Sequence, residues 1–228
     1  IQYTGMLYPH GGYVDDILVH KVAGDHYFLC VNASNQVKDF EHIRQANRFD
    51  AEVELASERY AQIAVQGPLA AATLQRLTPL DLQQLRRYWF IDGEVCGRPA
   101  RIARTGYTGE DGFEIYAAPE DAERLWSAFL DAGREFGARP CGLGARNTLR
   151  LEAAMPLYGH EIDESITPLE AGLDWTVKLD KGDFLGRAVL LRQREEGVRR
   201  KLAGFEMRGR GIARDGYEVR AAGNAEGW

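Results

Sequence analysis

Cysteine is scarce in this chain of 228 residues: Cys30, Cys96 and Cys141 stand far apart and are odd in number. Isolated thiols of that kind build neither a disulfide framework nor a zinc site. His10, His20, His26, His42 and His160 show no HxH or HExxH spacing, so no metal is expected. No apolar run approaches the ~20 residues of a membrane span, and the first residues lack the basic-then-apolar pattern of an export signal. Excess positive charge is missing too, since 28 Lys and Arg stand against 34 Asp and Glu for a net charge of −6. That balance argues against a nucleic-acid or membrane partner, and the expected compartment is the cytoplasm. Neither GxGxxG after a strand nor GxxxxGK occurs, which leaves nucleotide-phosphate binding without support. His160 and Glu161 have no nucleophile beside them at triad spacing, which disfavours a hydrolase triad, and the lone histidine reads as structural.

What is present is a 45% hydrophobic fraction, ample for a buried core. Turn signals at Pro9-His10-Gly11-Gly12 and Gly24-Asp25 divide the first residues into three strands, over 1–8, 13–22 and 27–31. A helix follows, with Ser34 or Asn35 as N-cap and Val37, Phe40 and Ile43 at helical spacing. Further strands are expected over 51–55, 60–65, 89–91, 94–96 and 100–104. Helices are expected from Gly67-Pro68 to Leu77, over 122–132 with Leu125, Trp126, Phe129 and Leu130 on one face, over 144–155 with Leu149 and Met155 inward, and over 187–194. From Lys201 the pattern changes to short alternating strands. The fold class is therefore α+β, with antiparallel sheets, packed helices and the start of a third, all-β unit. The chain opens on Ile1 inside a strand-like stretch and closes on Trp228 after a turn, so both ends read as cut.

Two segments carry unusual chemistry. In GGYVDDILV, Asp15 and Asp16 interrupt an apolar strand, and alternation sends one of them toward the buried face. A buried carboxylate needs a partner, either in a structural ion pair or in a site. Asn32, at the end of the neighbouring strand, offers a donor and an acceptor to the same region, or simply a strand-ending turn. Residues 104–116, RTGYTGEDGFEIY, place Gly106, Gly109 and Gly112 among Tyr107, Thr108, Glu110, Asp111 and Glu114. Such a segment is either an acidic hairpin turn or the wall of a pocket for a polar ring. Arg146 shares a helix face with Arg150, and either guanidinium can grip a carboxylate or stay solvated.

Taken in order, GGYVDDILV, NASN, QGPLA, RTGYTGEDGFEIY, GLGARNTLRLEAAMPLYGHEIDE and TPLEAGLDWTV resemble the T-protein family of the glycine cleavage system, the folate-dependent aminomethyltransferases, over nearly the whole chain. The resemblance implies two α+β domains and a small barrel around a folate channel. Here that means 1–48 with 140–180 in the first domain, 49–139 in the second, and 198–228 as the beginning of a truncated barrel. It implies transfer of a methylene unit to tetrahydrofolate, the co-substrate, from an aminomethyl group on the lipoyl arm of an H-protein partner, with release of ammonia. By motif position it makes Asp16 the catalytic carboxylate and Asn32, Tyr107, Glu114 and Arg146 folate-binding residues. Asn147 stands where many relatives have an acid, and Ala154 where glycine is frequent. Two alternatives resemble the chain less: the folate-binding domain of sarcosine or dimethylglycine oxidases, and a non-enzymatic folate-binding protein of iron–sulfur repair, whose KGCYxGQE-type motif is missing.

Overall fold

The computed structural model describes residues 1–214 and 216–220. Strands β1 (Gln2–Leu7), β2 (Tyr13–Lys21) and β3 (Tyr27–Cys30) pair antiparallel in that spatial order, with β2 central. Successive residues of β2, Tyr13, Val14 and Asp15, are all buried, and Ile17 and His20 follow them. Since neighbouring side chains point to opposite faces, burial of consecutive residues means that both faces of β2 are covered. Helix α1 (Gln36–Ala46) packs against β2 but turns Asp39 inward, while Val37 is 61% exposed. Asn35 takes the N-cap position without capping the helix, because its side chain is used on β2 instead.

A second antiparallel sheet contains β4 (Ala61–Gln66), β5 (Phe90–Val95), β6 (Arg98–Ala103) and β7 (Gly112–Ala117), in the order β4-β7-β6-β5. Helices α2 (Ala70–Gln75) and α3 (Ala122–Gly133) lie on it. Leu74, Ile102, Phe113, Ile115, Leu125 and Phe129 fill the core between them, each contributing about 1.5–3 kcal/mol by leaving water. A separate core joins Leu7 and Tyr13 of the first sheet to Ile162, Leu173, Leu179 and Leu190, the last on α5 (Arg187–Glu196). The two sheets meet through His20, whose ring sits edge-on to Phe28, Phe90 and Tyr116. Burial, reinforced by the charge of Arg101, lowers the His20 pKa to about 4.

Several expectations are corrected. Residues 51–55 form no strand, and 89–91 with 94–96 are one strand, β5, which continues through Gly93. Trp126 lies on the outer side of α3. On α4 (Leu143–Glu152) the inward side chain is Arg150, while Leu149 is 39% exposed. That helix ends in a Schellman motif: Met155 N–H donates to Arg150 O and Ala154 N–H to Leu151 O. Ala154 accordingly takes φ +55°, the left-handed conformation for which glycine is suited. Residues 201–214 and 216–220 carry no strand; the remainder of the expected barrel start, Asp215 and 221–228, lies outside the described residues. Among the described residues, no helix is long and apolar enough to cross a membrane.

Candidate active site

The two acids of β2 have separate surroundings bridged by one amide. Asp15 is fully buried and accepts from Asn32 N (3.0 Å), Asn32 Nδ2 (2.8 Å) and Asn35 Nδ2 (2.7 Å). Asp16, opposite Gly5 of β1, accepts from Tyr3 Oη at 3.0 Å and from Asn32 Nδ2 at 2.9 Å. Burial raises the Asp16 pKa and the negative charge of Asp15 adds to that, while the bonds from Tyr3 and Asn32 pull it back. Asn32 is thus neither a free end nor an ordinary turn residue; it spans both carboxylates.

The 104–111 loop joins β6 to β7, so the acidic segment is a hairpin whose register pairs Ala103 with Glu114. Of its three glycines only Gly109 has positive φ, at +78°. Gly106 and Gly112 are required by space: a Cβ on either would overlap the Gln66 side chain, which donates to Thr105 O and Phe113 O. Glu114 is buried on β7, held by the Thr105 hydroxyl and by Gln62 Nε2 at 2.8 Å. Burial raises its pKa, against the opposing pull of the Thr105 hydrogen bond and the positive charge of Arg146.

Tyr107 and Arg146 connect these two carboxyl sites. The Arg146 guanidinium lies 4.4 Å from the centre of the Tyr107 ring, and the Tyr107 hydroxyl donates to Pro156 O. The Tyr107 pKa is pushed up to about 12, first by burial, and the charges of both Asp16 and Arg146 act on it. Arg146 acts in turn on Glu114 and Cys30, and Cys30 is paired with Gln62 and Tyr116. Asp16, Asn32, Tyr107, Arg146 and Glu114 therefore belong to one electrostatic neighbourhood spanning the two sheets. Chemically these residues offer carboxylate acceptors together with an aromatic ring and a guanidinium, the groups that recognise a polar ring.

Residues to which the sequence reading gave no site role support these acids. Tyr3 holds Asp16; Thr105 and Gln62 hold Glu114; Asn35 holds Asp15. Their signal in the sequence is weak, because each acts across strands or across the two sheets. Arg150, expected on a polar face with Arg146, is instead buried: it donates to Asn147 Oδ1 (2.8 Å), Met155 O (3.2 Å) and Glu161 Oε2 (2.6 Å). Glu161 also accepts from Leu157 N at 2.9 Å. This clamp fixes the 155–161 loop that receives the Tyr107 hydroxyl. A cavity of about 220 Å³ lies elsewhere, between β1 and the 168–190 segment, lined among others by Thr4, Met6, Val177 and Phe184. It contains none of the acids.

Comparison with known proteins shows the family of the chain. The family model described as the GCVT N-terminal domain matches residues 1–181. An aminomethyltransferase of Koribacter versatilis is 53% identical over 223 residues, covering 96% of this chain and 58% of that protein. One from Desulfitobacterium hafniense is 52% identical over 229 residues, covering 100% of this chain and 63% of that one. The crystal structure of glycine cleavage system aminomethyltransferase T from Bartonella henselae superimposes with a TM-score of 0.76 at 32% identity, over 86% of this chain and 53% of that one. The chain thus spans about three-fifths of the length of the curated relatives it matches. With its α+β architecture and these matches, the chain belongs to the aminomethyltransferase family of the glycine cleavage system, in its GCVT N-terminal domain.

Proposed function

We propose that this chain supplies the folate site of a tetrahydrofolate-dependent aminomethyltransferase of the glycine cleavage system. The reaction moves the methylene carbon of an aminomethyl group, carried on the lipoyl arm of the H-protein, to tetrahydrofolate. Ammonia leaves and the arm is left as its dihydrolipoyl form. The observation that carries this reading is the placement of Asp16, Tyr107, Arg146 and Glu114 in one neighbourhood within a chain of that family.

In this reading Glu114 accepts hydrogen bonds from the ring N–H and amino groups of the pterin, and Tyr107 and Arg146 line its face. Asp16, held by Tyr3 and Asn32, stands beside the reacting nitrogen. Its negative charge stabilises the positive charge that develops on that nitrogen or on the iminium carbon, and helps to orient the nucleophile. Because the carboxylate is already fixed by two donors, little reorganisation accompanies the reaction.

The same reading divides the chain into 1–48 with 140–180, 49–139, and a barrel beginning at 198–228; the two separate hydrophobic cores support the first two units. A cytoplasmic location goes with it. The test is isothermal titration of the intact protein with a reduced folate, beside turnover with lipoylated H-protein, for wild type and Asp16→Ala. Turnover is expected to fall by about 10²–10⁴-fold. Unchanged binding together with unchanged turnover removes Asp16 from the site.

A further inference from the structure

Asp39 stands out among the charged groups to which the reaction gives no part. It is 1% exposed, on the inward face of α1, and no described group donates to either of its carboxyl oxygens. Its side chain lies within hydrogen-bonding reach of Asp15, another carboxyl. Two carboxylates are both acceptors, so this contact holds only when one of them carries a proton. Asp15 already accepts three N–H donors, from Asn32 N, Asn32 Nδ2 and Asn35 Nδ2, whereas the Asp39 oxygens receive none from any described group. The proton accordingly resides on Asp39, which then donates to Asp15 and satisfies its own buried hydroxyl.

The consequence reaches the site through Asn32. Its amide donates to Asp15 Oδ1 at 2.8 Å and to Asp16 Oδ1 at 2.9 Å, so the position of Asp15 sets that of the amide, and the amide helps set Asp16. We propose that Asp39 is a neutral positioning acid, whose proton holds Asp15 in place and through Asn32 fixes the orientation of the Asp16 carboxylate. The proposal rests on the reading of Asp16 given above.

The groups facing Asp39 are Asp15 and Asp16 on β2 and Lys38 on α1, with His42 one turn further along the helix. Lys38 donates to Val14 O at 2.6 Å and lies over the Tyr158 ring, 3.9 Å from its centre. One cation thus stands beside three acids, and loss of the Asp39 proton would leave three negative charges around Asn32. Burial and the two neighbouring acids both oppose that loss, so the Asp39 proton is held well above the ordinary carboxyl range.

Two measurements on the intact protein test this. The first is the infrared spectrum at neutral pH, where wild type minus Asp39→Asn is expected to show a protonated-carboxyl stretch belonging to Asp39. Absence of that difference band overturns the proposal whatever the role of Asp16. The second is turnover against pH for wild type, Asp39→Asn and Asp39→Ala. An amide keeps the donor and cannot ionise, so Asp39→Asn is expected to stay within about threefold of wild type at neutral pH and to lose any alkaline decline. Asp39→Ala, which removes the donor, is expected to fall by about 10²-fold, the scale of a small misplacement of a reacting group. Equal loss in both variants, or no loss in Asp39→Ala, overturns the positioning role. Should Asp16→Ala leave turnover intact while the infrared band is present, the functional reading of Asp16 fails and the proton assignment stands.

Discussion

Replacing Arg150 with methionine isolates the clamp beneath the candidate site, since methionine keeps most of the apolar stem and loses the cation. Arg150 is 3% exposed and holds Asn147, Met155 O and Glu161 together. Removing one partner of a buried ion pair typically costs about 3–5 kcal/mol, because the other charge is left without compensation. Glu161 keeps its bond from Leu157 N and its side chain is 22% exposed, which places the loss near the lower end, at about 3 kcal/mol. For a chain of this size each kcal/mol lowers the midpoint by about 2–4 °C, so thermal unfolding should begin roughly 6–12 °C earlier. A double-mutant cycle with Glu161→Gln separates the pair from its packing. The Arg150→Met/Glu161→Gln protein should lose less than the sum of the single variants, by about 1–2 kcal/mol. If Arg150→Met unfolds within about 0.5 kcal/mol of wild type, or the two losses simply add, the clamp does not hold the loop as argued.

Other outcomes follow from local geometry. Gly106→Ala should destabilise by about 1–3 kcal/mol in urea unfolding, because its methyl displaces a Gln66 side chain already bonded on two sides; a neutral result would mean that Gln66 moves freely. Ala154→Gly should stabilise, since it relieves a left-handed alanine at about 1–2 kcal/mol while adding about 0.4–1 kcal/mol of unfolded-chain entropy. A lower unfolding midpoint for that variant would contradict the Schellman assignment. Glu114 has a pKa raised by burial, so between the ordinary carboxyl range and its raised value the native state binds more protons than the unfolded chain. Its contribution is therefore complete at acid pH and lost as pH rises through that window, and Glu114→Gln should flatten the fall of stability measured from about pH 4 upward. A steeper fall in the variant would refute that sign.

Much of this was legible in the residues. The YVDDILV strand announced its acids by breaking an apolar run, and the six ordered motifs made the family legible and put forward Asp16, Asn32, Tyr107, Glu114 and Arg146 as its candidate site residues. What hydropathy misread has a common physical origin. Helices α1 and α4 each turn a charged side chain inward, Asp39 and Arg150, while Val37 and Leu149 face outward. A periodicity argument assumes that apolar residues mark the core, and it fails where the buried position is secured by a distant partner such as Asp15 or Glu161. Asn32 was legible as a partner for the two acids, but its simultaneous grip on both depends on where the end of β3 falls beside β2. Nothing in the sequence names Gln66 as the side chain for which Gly106 and Gly112 leave room. The departure at Ala154, noted only as a residue choice, became intelligible once its backbone proved left-handed.

The most direct measurement is a crystal structure of the intact protein with tetrahydrofolate bound. The account predicts the pterin seated between Glu114 and Asp16, against Tyr107 and Arg146. A pterin found instead in the cavity between β1 and the 168–190 segment, or with neither acid in contact, would contradict it.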